Sequence, residues 1–394
     1  MKQDRRFFIK SIGLLGATSV IGKNVVGEVH VEKSEFNFLA TPYVQNMTSK
    51  SVTICCILSK NCLAWLEVLD SDGKVSELVY EVEDGMRNAN ARLYKFRVEH
   101  RGQDFKYRIA AKEVTQFDPY KIVYAEEIRS NEYQTDLPFN NHKDCQVLIL
   151  NDIHEDVDSY SYLYNKSSLA KKDLVILNGD SFHHVVTESD LTDKLLTPIS
   201  KLFAAEAPFV MVRGNHETRG KLSRDFKRYF DYPTGKFYYS FSLGSIFWII
   251  LDGGEDKPDS HEVYGGTVDY DMYRKEQREW LKLVMKSEEK KKAKHTVVIN
   301  HIPFFHSDDW HGTLHNRECF HDVLQSNKVD VLISGHTHQY GFYEPDNYHN
   351  YYVIIGGGPK EGKRTLVDVK SAGAKLDITL MRDDGEVIGR VKKG

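Results

Sequence analysis

The chain contains little cysteine, and its cysteines show no pattern that would suggest a disulfide scaffold or a thiolate metal site. Its 394 residues include five cysteines, an odd number with no Cys-x-x-Cys pair. Small secreted scaffolds and zinc-thiolate sites both require paired cysteines at short spacing. We therefore expect small, buried core residues at all five positions: Cys55, Cys56, Cys62, Cys145 and Cys319.

The chain also lacks a long apolar run and a strong excess of either charge. Hydrophobic residues make up 41% of the sequence and charged residues 28%, the balance of an ordinary globular protein. A formal net charge of -4 argues against nucleic-acid binding by bulk electrostatics. A small phosphorylated substrate stays compatible, because a bound cation can reverse the local sign of charge. We expect no transmembrane span.

The amino terminus has the pattern of a targeting segment. Arg5 and Arg6 precede two phenylalanines, an isoleucine and a lysine, and a mildly apolar, glycine-containing run follows at 11–22. This order is typical of a twin-arginine export signal, which we assign to residues 1–27. It predicts an exported, periplasmic protein. The alternative is an ordinary basic amino terminus on a cytoplasmic protein.

The first third of the chain has the alternating pattern of half-buried strands. Residues 52–58, 94–98 and 105–109 alternate apolar with polar side chains, and Gly- and Asp-containing turns separate them. Several short strands at this spacing predict a small β-sandwich over 36–114. The polar residues 115–143 contain two prolines and are predicted to be a linker.

From residue 144 to the carboxyl terminus, the pattern changes to an α/β domain. Continuous β-branched runs of this length are typical of strands that are buried on both faces, and helical patterns such as 270–287 separate them. The predicted central strands are 147–150, 174–177, 209–212, 246–251, 296–299 and 329–333. Further strands are predicted at 351–355, 365–369, 376–381 and 386–391.

Metal-type side chains follow five of these runs directly. In parallel sheets, groups beyond the carboxyl ends of strands converge, so we expect these side chains to meet. Carboxylate, imidazole and amide donors without thiolate suit Mn, Fe or Zn. Two cations need a bridging carboxylate, for which Asp180 is the natural candidate, and Asp-x-His or His-x-His in an extended segment places both side chains on one face. The motifs are Asp152-x-His154, Gly179-Asp180, Gly214-Asn215-His216-Glu217, Asn300-His301 and His336-x-His338.

In this order, the motifs resemble the calcineurin-like metallophosphoesterase family. Residues 41–45 and 51–54 are similar to the opening of the fibronectin-III-like domain that precedes the catalytic domain of purple acid phosphatases. The resemblance implies a four-layer α/β/β/α sandwich over 144–394 after a small all-β domain. It also implies two cation sites: one cation is held by Asp152, His154, Asp180 and His338, and the other by Asp180, Asn215, His301 and His336.

The resemblance implies hydrolysis of a phosphate ester by a hydroxide bound to two divalent cations, with Mn favoured over Fe or Zn. His216 would lie outside the ligand set and protonate the leaving oxygen. A phosphomonoesterase acting on a small phosphorylated substrate is the favoured interpretation. A phosphodiesterase or nuclease-type activity on the same centre is the alternative, and a non-catalytic binding protein is a third.

Three further residues are candidates for substrate contacts. Arg213 could clamp a phosphate oxygen, or it could form a surface salt bridge. His183 occupies the position of the tyrosine ligand of purple acid phosphatases, which predicts a site without their colour, and it faces either substrate or structure. His311 lies in a second loop that could reach the substrate. Glu217 either orients His216 or stabilises a helix amino terminus.

Overall fold

The computed structural model describes residues 35–100, 102–138 and 144–394. The predicted export signal at 1–27 lies outside these residues. All five cysteines are buried and free, as predicted from their lack of paired spacing. No helix in the described part of the chain combines the length and the apolar character that crossing a bilayer requires.

The amino-terminal sheet is built around one very long strand. β2 spans 19 residues; its first part pairs with β1 and β6, and its second part pairs with β3 and β7, with bulges between the two parts. Side chains from both parts enclose one apolar core. The strands are β1 (Tyr43–Gln45), β2 (Ser51–Leu69), β3 (Val75–Val79), β4 (Val82–Glu83), β5 (Met86–Arg87), β6 (Ala89–Glu99), β7 (Lys106–Asp118), β8 (Lys121–Arg129) and β9 (Tyr133–Gln134).

The amino-terminal sheet continues into the region that the sequence predicted to be a linker. β7 runs to Asp118, and β8 and β9 both pair with β7. Most of β8 is exposed on both faces, so it carries no apolar alternation that could reveal a strand. Pro119 lies in the turn between β7 and β8, where a missing N–H costs no ladder bond. The linker prediction at 115–143 is therefore wrong for most of its length.

Two six-stranded sheets form the centre of the second region. Sheet I has the order β12-β11-β10-β19-β20-β21, and sheet II has the order β13-β14-β15-β16-β18-β17. The strands of sheet I are β10 (Asp144–Leu150), β11 (Leu174–Asn178), β12 (Phe209–Val212), β19 (Thr365–Ala372), β20 (Lys375–Arg382) and β21 (Val387–Lys393). Those of sheet II are β13 (Tyr239–Leu243), β14 (Ile246–Ile250), β15 (His295–Ile299), β16 (Val331–Ser334), β17 (Gly341–Tyr343) and β18 (Tyr352–Ile355).

Alternation along the strands of sheet II places its side chains in two different cores. Ile246, Trp248 and Ile250 point into the core that sheet II shares with sheet I. Phe247 and Ile249, from the same strand, pack instead against the helices on the outer face. Every residue of β14 is buried, which explains why the sequence of this strand is a continuous apolar run.

Helices cover the outer faces of both sheets, which confirms the predicted four-layer α/β architecture. α4 and α6 cover sheet II, while α1 and the helical segment 188–204 pack on sheet I. The α-helices are α1 (Val157–Lys166), α2 (Glu188–Leu191), α3 (Thr197–Ile199), α4 (Tyr270–Val284), α5 (Glu288–Lys292) and α6 (His311–Gln325). Two π-helical turns, Thr192–Leu196 and Ser200–Ala204, interleave with α2 and α3.

Buried hydrogen bonds attach the amino-terminal sheet to the edge of sheet I. The amide of Gln45 donates to the carbonyl of Phe209 at 3.0 Å, and the Tyr107 hydroxyl donates to the carbonyl of Ala205 at 2.6 Å. Thr53 donates to Asp231 at 2.6 Å. Buried polar contacts of this kind fix one arrangement of the two layers.

Candidate metal centre

The candidate ligands lie in loops at the carboxyl ends of parallel strands in both central sheets. Sheet I contributes the loops that follow β10, β11 and β12, and sheet II contributes those after β15 and β16. Ligands gather at such strand ends because the parallel strands all finish at the same edge. The candidate ligands in these loops are Asp152, His154, Asp180, Asn215, His301, His336 and His338.

The ligand loops turn through left-handed backbone conformations. The φ angles are 50° at Asp152, 47° at His154, 52° at Asp180, 73° at His336 and 57° at His338. The prediction of extended Asp-x-His and His-x-His segments is therefore wrong; the side chains converge because the backbone turns. Each such conformation costs about 1–2 kcal/mol for an L-residue, so it persists only where the surrounding structure imposes it.

Two glycines allow the ligand loops to approach each other closely. A Cβ atom at Gly335 would lie 2.3 Å from Oδ2 of Asp152, and one at Gly214 would lie 2.3 Å from Oδ1 of Asp180. Neither carboxylate could move away without leaving the site. The glycines that precede the ligands are thus required by space around the carboxylates.

One cluster of ligand atoms consists of Asp152, His154 and His338. Nε2 of His154 lies 2.8 Å from Nε2 of His338 and 3.7 Å from Oδ1 of Asp152. Nε2 of His338 lies 3.4 Å from the same carboxylate oxygen. Metal–ligand bonds of about 2.1 Å place ligand atoms about 3–3.5 Å apart, so these three atoms have the spacing of a cation site.

The second cluster consists of Asp180, Asn215, His301 and His336. Nε2 of His301 lies 3.1 Å from Oδ2 of Asp180. Nδ1 of His336 lies 2.9 Å from the side-chain amide of Asn215. The donor atoms of Asp180, His301 and His336 all lie within 4.8 Å of one another. The structure thus brings together the residues of each ligand set that the family resemblance implied, and their role as metal ligands stays a prediction.

One oxygen of Asp180 lies between the two clusters. Its Oδ2 is 3.1 Å from Nε2 of His301 and 3.7 Å from Nε2 of His154. Its Oδ1 accepts the backbone N–H of His216 at 3.0 Å, which fixes the orientation of the carboxylate. This placement is the one that a bridging ligand requires.

Hydrogen bonds from backbone and amide groups fix the tautomer of His301 and the position of the Asp152 carboxylate. Nδ1 of His301 donates to the carbonyl of Asn178 at 2.8 Å, which leaves the lone pair of Nε2 directed into the site. Oδ2 of Asp152 accepts from the Asn151 amide at 2.6 Å and from the backbone N–H of His336 at 2.9 Å. Such partners position ligands before a cation binds.

The buried carboxylates concentrate negative charge at the centre. Burial alone would lower the pKa of His301, but the neighbouring Asp180 and Asp152 raise it to about 10. By contrast, burial and the charge of His301 lower the pKa of His336 to about 4. The two carboxylates therefore favour positive charge at the centre, which is the charge that a divalent cation would supply.

Glu217 organises the ligand loops from beneath and was not identified as such in the sequence. Its fully buried carboxylate accepts three backbone N–H groups, from Asp180 at 2.9 Å, Ser181 at 2.8 Å and Gly214 at 2.8 Å. Burial and the charge of Asp180 raise its pKa to about 7. None of these three hydrogen bonds reaches the His216 side chain or the amino terminus of a helix, so they support neither role considered in the sequence.

His216 lies beside the ligands, and Arg219 contacts it. Nδ1 of His216 donates to the carbonyl of His183 at 2.9 Å, so Nε2 accepts from Nη1 of Arg219 at 3.1 Å. The guanidinium is held by the buried Glu255 through two bonds of 2.9 Å each. Sequence reasoning missed Arg219, although its spacing of three residues from His216 along a tight turn is a local signal; Glu255 has no such signal.

The side-chain amide of Asn215 has two orientations, which its hydrogen bonds distinguish. With oxygen and nitrogen exchanged, the NH₂ group donates to His336 at 2.9 Å and to Asp180 at 3.3 Å, and the oxygen accepts from Arg219 at 2.8 Å. A cation ligand must instead direct its oxygen toward His336 and Asp180. In the unexchanged orientation the amide oxygen lies 2.9 Å from Nδ1 of His336, so it faces the second cluster as a cation ligand would.

His183 lies next to the first cluster. Its Nδ1 is 3.3 Å from Nδ1 of His154, and the donor atoms of His154, His183 and His216 lie within 4.8 Å of one another. Its ring is exposed, and its backbone N–H donates to Glu155 at 3.1 Å. This position contacts a ligand and is open to solvent, which suits either of the roles predicted for His183.

The other two residues predicted to contact substrate, Arg213 and His311, form contacts within the protein. Arg213 forms an ion pair with the buried Asp252 at 2.6 Å and lies over the ring of Phe237. His311 lies at the start of α6 and bonds Asp271 at 2.7 Å. The salt-bridge alternative describes Arg213, although the pair is buried rather than at the surface. The buried ion pair replaces the predicted phosphate contact of Arg213, and the predicted substrate contact of His311 stays a prediction.

In comparison with known proteins, residues 145–340 match the calcineurin-like phosphoesterase family. Among curated proteins, the chain is 25% identical over 211 residues to purple acid phosphatase 21 of Arabidopsis thaliana, covering 48% of this chain and 45% of that protein. It is 23% identical over 178 residues to the human serine/threonine-protein phosphatase CPPED1, covering 43% and 54%. The chain spans about half the length of the curated relatives it matches.

A solved structure extends the similarity to the amino-terminal sheet. The purple acid phosphatase from yellow lupin (Lupinus luteus) seeds superposes with a TM-score of 0.64 and 14% identity, covering 90% of this chain and 74% of that one. At this identity, the match shows the fold alone. It confirms the predicted all-β domain ahead of a metallophosphoesterase domain.

Proposed function

Because this chain belongs to the calcineurin-like phosphoesterase family through residues 145–340, we propose that it is a phosphomonoesterase that hydrolyses small phosphate esters at a centre of two divalent cations. The observation that carries the proposal is the position of Asp180 Oδ2 between two clusters of imidazole and carboxylate donors. Residues 144–394 would then be the catalytic domain.

The donor set fits such a pair of cations. Asp152, His154 and His338 would hold one, Asn215, His301 and His336 the other, and Asp180 would serve both. These oxygen and nitrogen donors accept Mn, Fe or Zn, and we favour Mn because His183 supplies no phenolate that would stabilise ferric iron. When bound, the cations supply Lewis-acid charge and an activated water for attack on phosphorus.

The residues around the cations would serve the leaving group and the phosphate charge. Burial and Arg219 lower the pKa of His216, so a proton that Nε2 takes up when Arg219 moves off it would be given readily to the departing oxygen. Arg219 brings a fixed positive charge to the same side, held by Glu255. A monoester carries more negative charge on its oxygens than a diester, so the N–H donors of Arg219, fixed by Glu255, favour the monoester over the diesterase alternative.

The test is a paired assay with metal-reconstituted protein. We expect turnover of p-nitrophenyl phosphate to exceed that of bis-p-nitrophenyl phosphate, and Asp180→Asn to lower metal content and turnover together, because one carboxylate serves both cations. Metal stoichiometry and activity that both survive Asp180→Asn would refute the centre. Faster turnover of the diester would reverse the choice of substrate class.

The cellular location of the protein is a separate proposal. The two arginines at positions 5 and 6 support export in the folded state to the periplasm. Folded export would suit an enzyme that loads its metals before leaving the cytoplasm.

A further inference from the structure

A cavity of about 640 Å³ opens next to the segment 218–221, which follows His216 in the chain. Arg219, which contacts His216, and Glu255 both line it, so it shares a wall with the predicted leaving-group acid. His184 also lines it, and its ring lies parallel to that of His216. Its volume is that of a small-molecule site. We call this cavity the side pocket.

The wall of the side pocket is fixed by backbone contacts. The N–H of Val185 donates to the carbonyl of Arg219 at 2.8 Å, and the N–H of Leu222 donates to the carbonyl of Val185 at 3.1 Å. Between these bonds, Gly220 has a φ of 98°, and a Cβ there would lie 2.4 Å from the Val185 carbonyl. The segment that carries the cationic side chains is therefore held against its neighbour before any ligand binds.

Positive charge dominates the side pocket. Arg219 is balanced by Glu255, and Lys257 by Asp256 at 2.9 Å. For Lys221 and Arg224, no carboxylate of the described residues lies within ion-pair distance. Arg224 donates instead to the carbonyl and hydroxyl of Thr267, both at 3.1 Å. Two cations thus stand at this site without an acidic partner in the described chain.

Part of the lining of the side pocket is apolar. Val186 and Val263 are exposed hydrophobic residues, and Tyr264 and Val268 line the pocket with them. A ligand that fits both the cationic and the apolar lining residues combines a short carbon skeleton with negative charge. The size and the mixed lining suit a small organic anion.

We propose that the side pocket binds the leaving-group part of the substrate, and that Lys221 and Arg224 select phosphomonoesters whose leaving group carries a second anionic group. The inference rests on the proposed function, because it requires phosphorus at the cation centre and the leaving oxygen near His216. The second anion would be a carboxylate or a second phosphate, since both accept charge-assisted hydrogen bonds from lysine and arginine.

The test uses two substrates of the same size, 3-phosphoglycerate and glycerol 3-phosphate, which differ by a carboxylate in place of a hydroxymethyl group. With wild-type enzyme, we expect kcat/KM to be about tenfold higher for 3-phosphoglycerate, mainly through a lower KM, and the ratio to fall as salt screens the contact. The double variant Lys221→Ala/Arg224→Ala should bring the ratio near one.

The matched control removes the same two charges from the neighbouring turn. Lys227 and Arg228 are exposed and lie outside the side pocket, so Lys227→Ala/Arg228→Ala should keep the wild-type ratio. Turnover of p-nitrophenyl phosphate with a wild-type ratio near one would overturn the side pocket and leave the phosphoesterase intact. An equal fall in both double variants would assign the preference to general surface charge. No turnover of any ester would overturn both proposals.

Discussion

Replacing Glu217 by glutamine tests whether the ligand loops depend on one buried carboxylate. Oε2 accepts N–H groups from Asp180 and Gly214, and Oε1 accepts one from Ser181. Glutamine keeps one acceptor oxygen and turns an NH₂ group toward the third N–H. A buried donor left without a partner costs about 1–3 kcal/mol.

The expected loss of metal affinity corresponds to a free energy of similar size. Loss of a group that positions metal ligands lowers metal affinity or activity by about 10- to 100-fold, which is about 1.4–2.7 kcal/mol. We therefore expect Glu217→Gln to bind cations about 10- to 100-fold more weakly and to unfold at lower denaturant concentration. Glu217→Ala, which strands all three donors, should be worse on both measures.

The assay combines metal titration with urea unfolding of the metal-loaded protein. The control is Glu279→Gln, because Glu279 is exposed and its ion pair within the described residues is with Lys282 on the same helix; it should change neither quantity by more than about 0.5 kcal/mol. If Glu217→Gln matches this control in metal affinity and in stability, the carboxylate does not hold the loops, and the reasoning is refuted.

Three further predictions concern the leaving group, the buried ion pair and the address of the protein. His216→Ala should retain its metals and lower kcat, with a smaller loss for esters of acidic alcohols, because these depart without a proton; equal losses across leaving groups would remove His216 from that role. Arg213→Ala should lower the free energy of unfolding by about 3–5 kcal/mol, because Asp252 stays buried without its partner. The KM of the folded fraction should stay at the wild-type value. A changed KM with unchanged stability would instead support a contact between Arg213 and the substrate. Replacing Arg5 and Arg6 together by lysine should retain phosphatase activity in the cytoplasm of a fractionated culture, and periplasmic activity that persists would contradict the export signal.

Much of the central fold could be read from continuous apolar runs. The runs at 147–150, 174–177 and 209–212 are strands of sheet I, and each precedes a candidate ligand. A strand buried on both faces needs an unbroken apolar segment, and the chain must turn where the segment ends. The family's order of motifs then indicated which side chains would meet. β8 lacked this signal because solvent reaches both of its faces.

Other parts of the site have no local signal. Arg213 immediately precedes a ligand motif, yet its guanidinium turns away to Asp252, about forty residues later in the chain. Arg219 acquires its role from Glu255, which arrives from another loop. Pairings of this kind depend on which loops the sheets bring together, so a single sequence does not specify them.

The sequence by itself determined most strands of the central sheets, the order of the ligand motifs and the chemistry of the donors, because these follow from hydrophobic periodicity and residue type. Only the tertiary structure decided how the ligands converge. Left-handed turns at Asp152, Asp180 and His336 replace the extended segments expected from the motifs, and the buried carboxylate of Glu217 holds the loops of Asp180 and Gly214 together. Such conformations are unfavourable in an isolated peptide and persist because contacts distant in sequence compensate their cost.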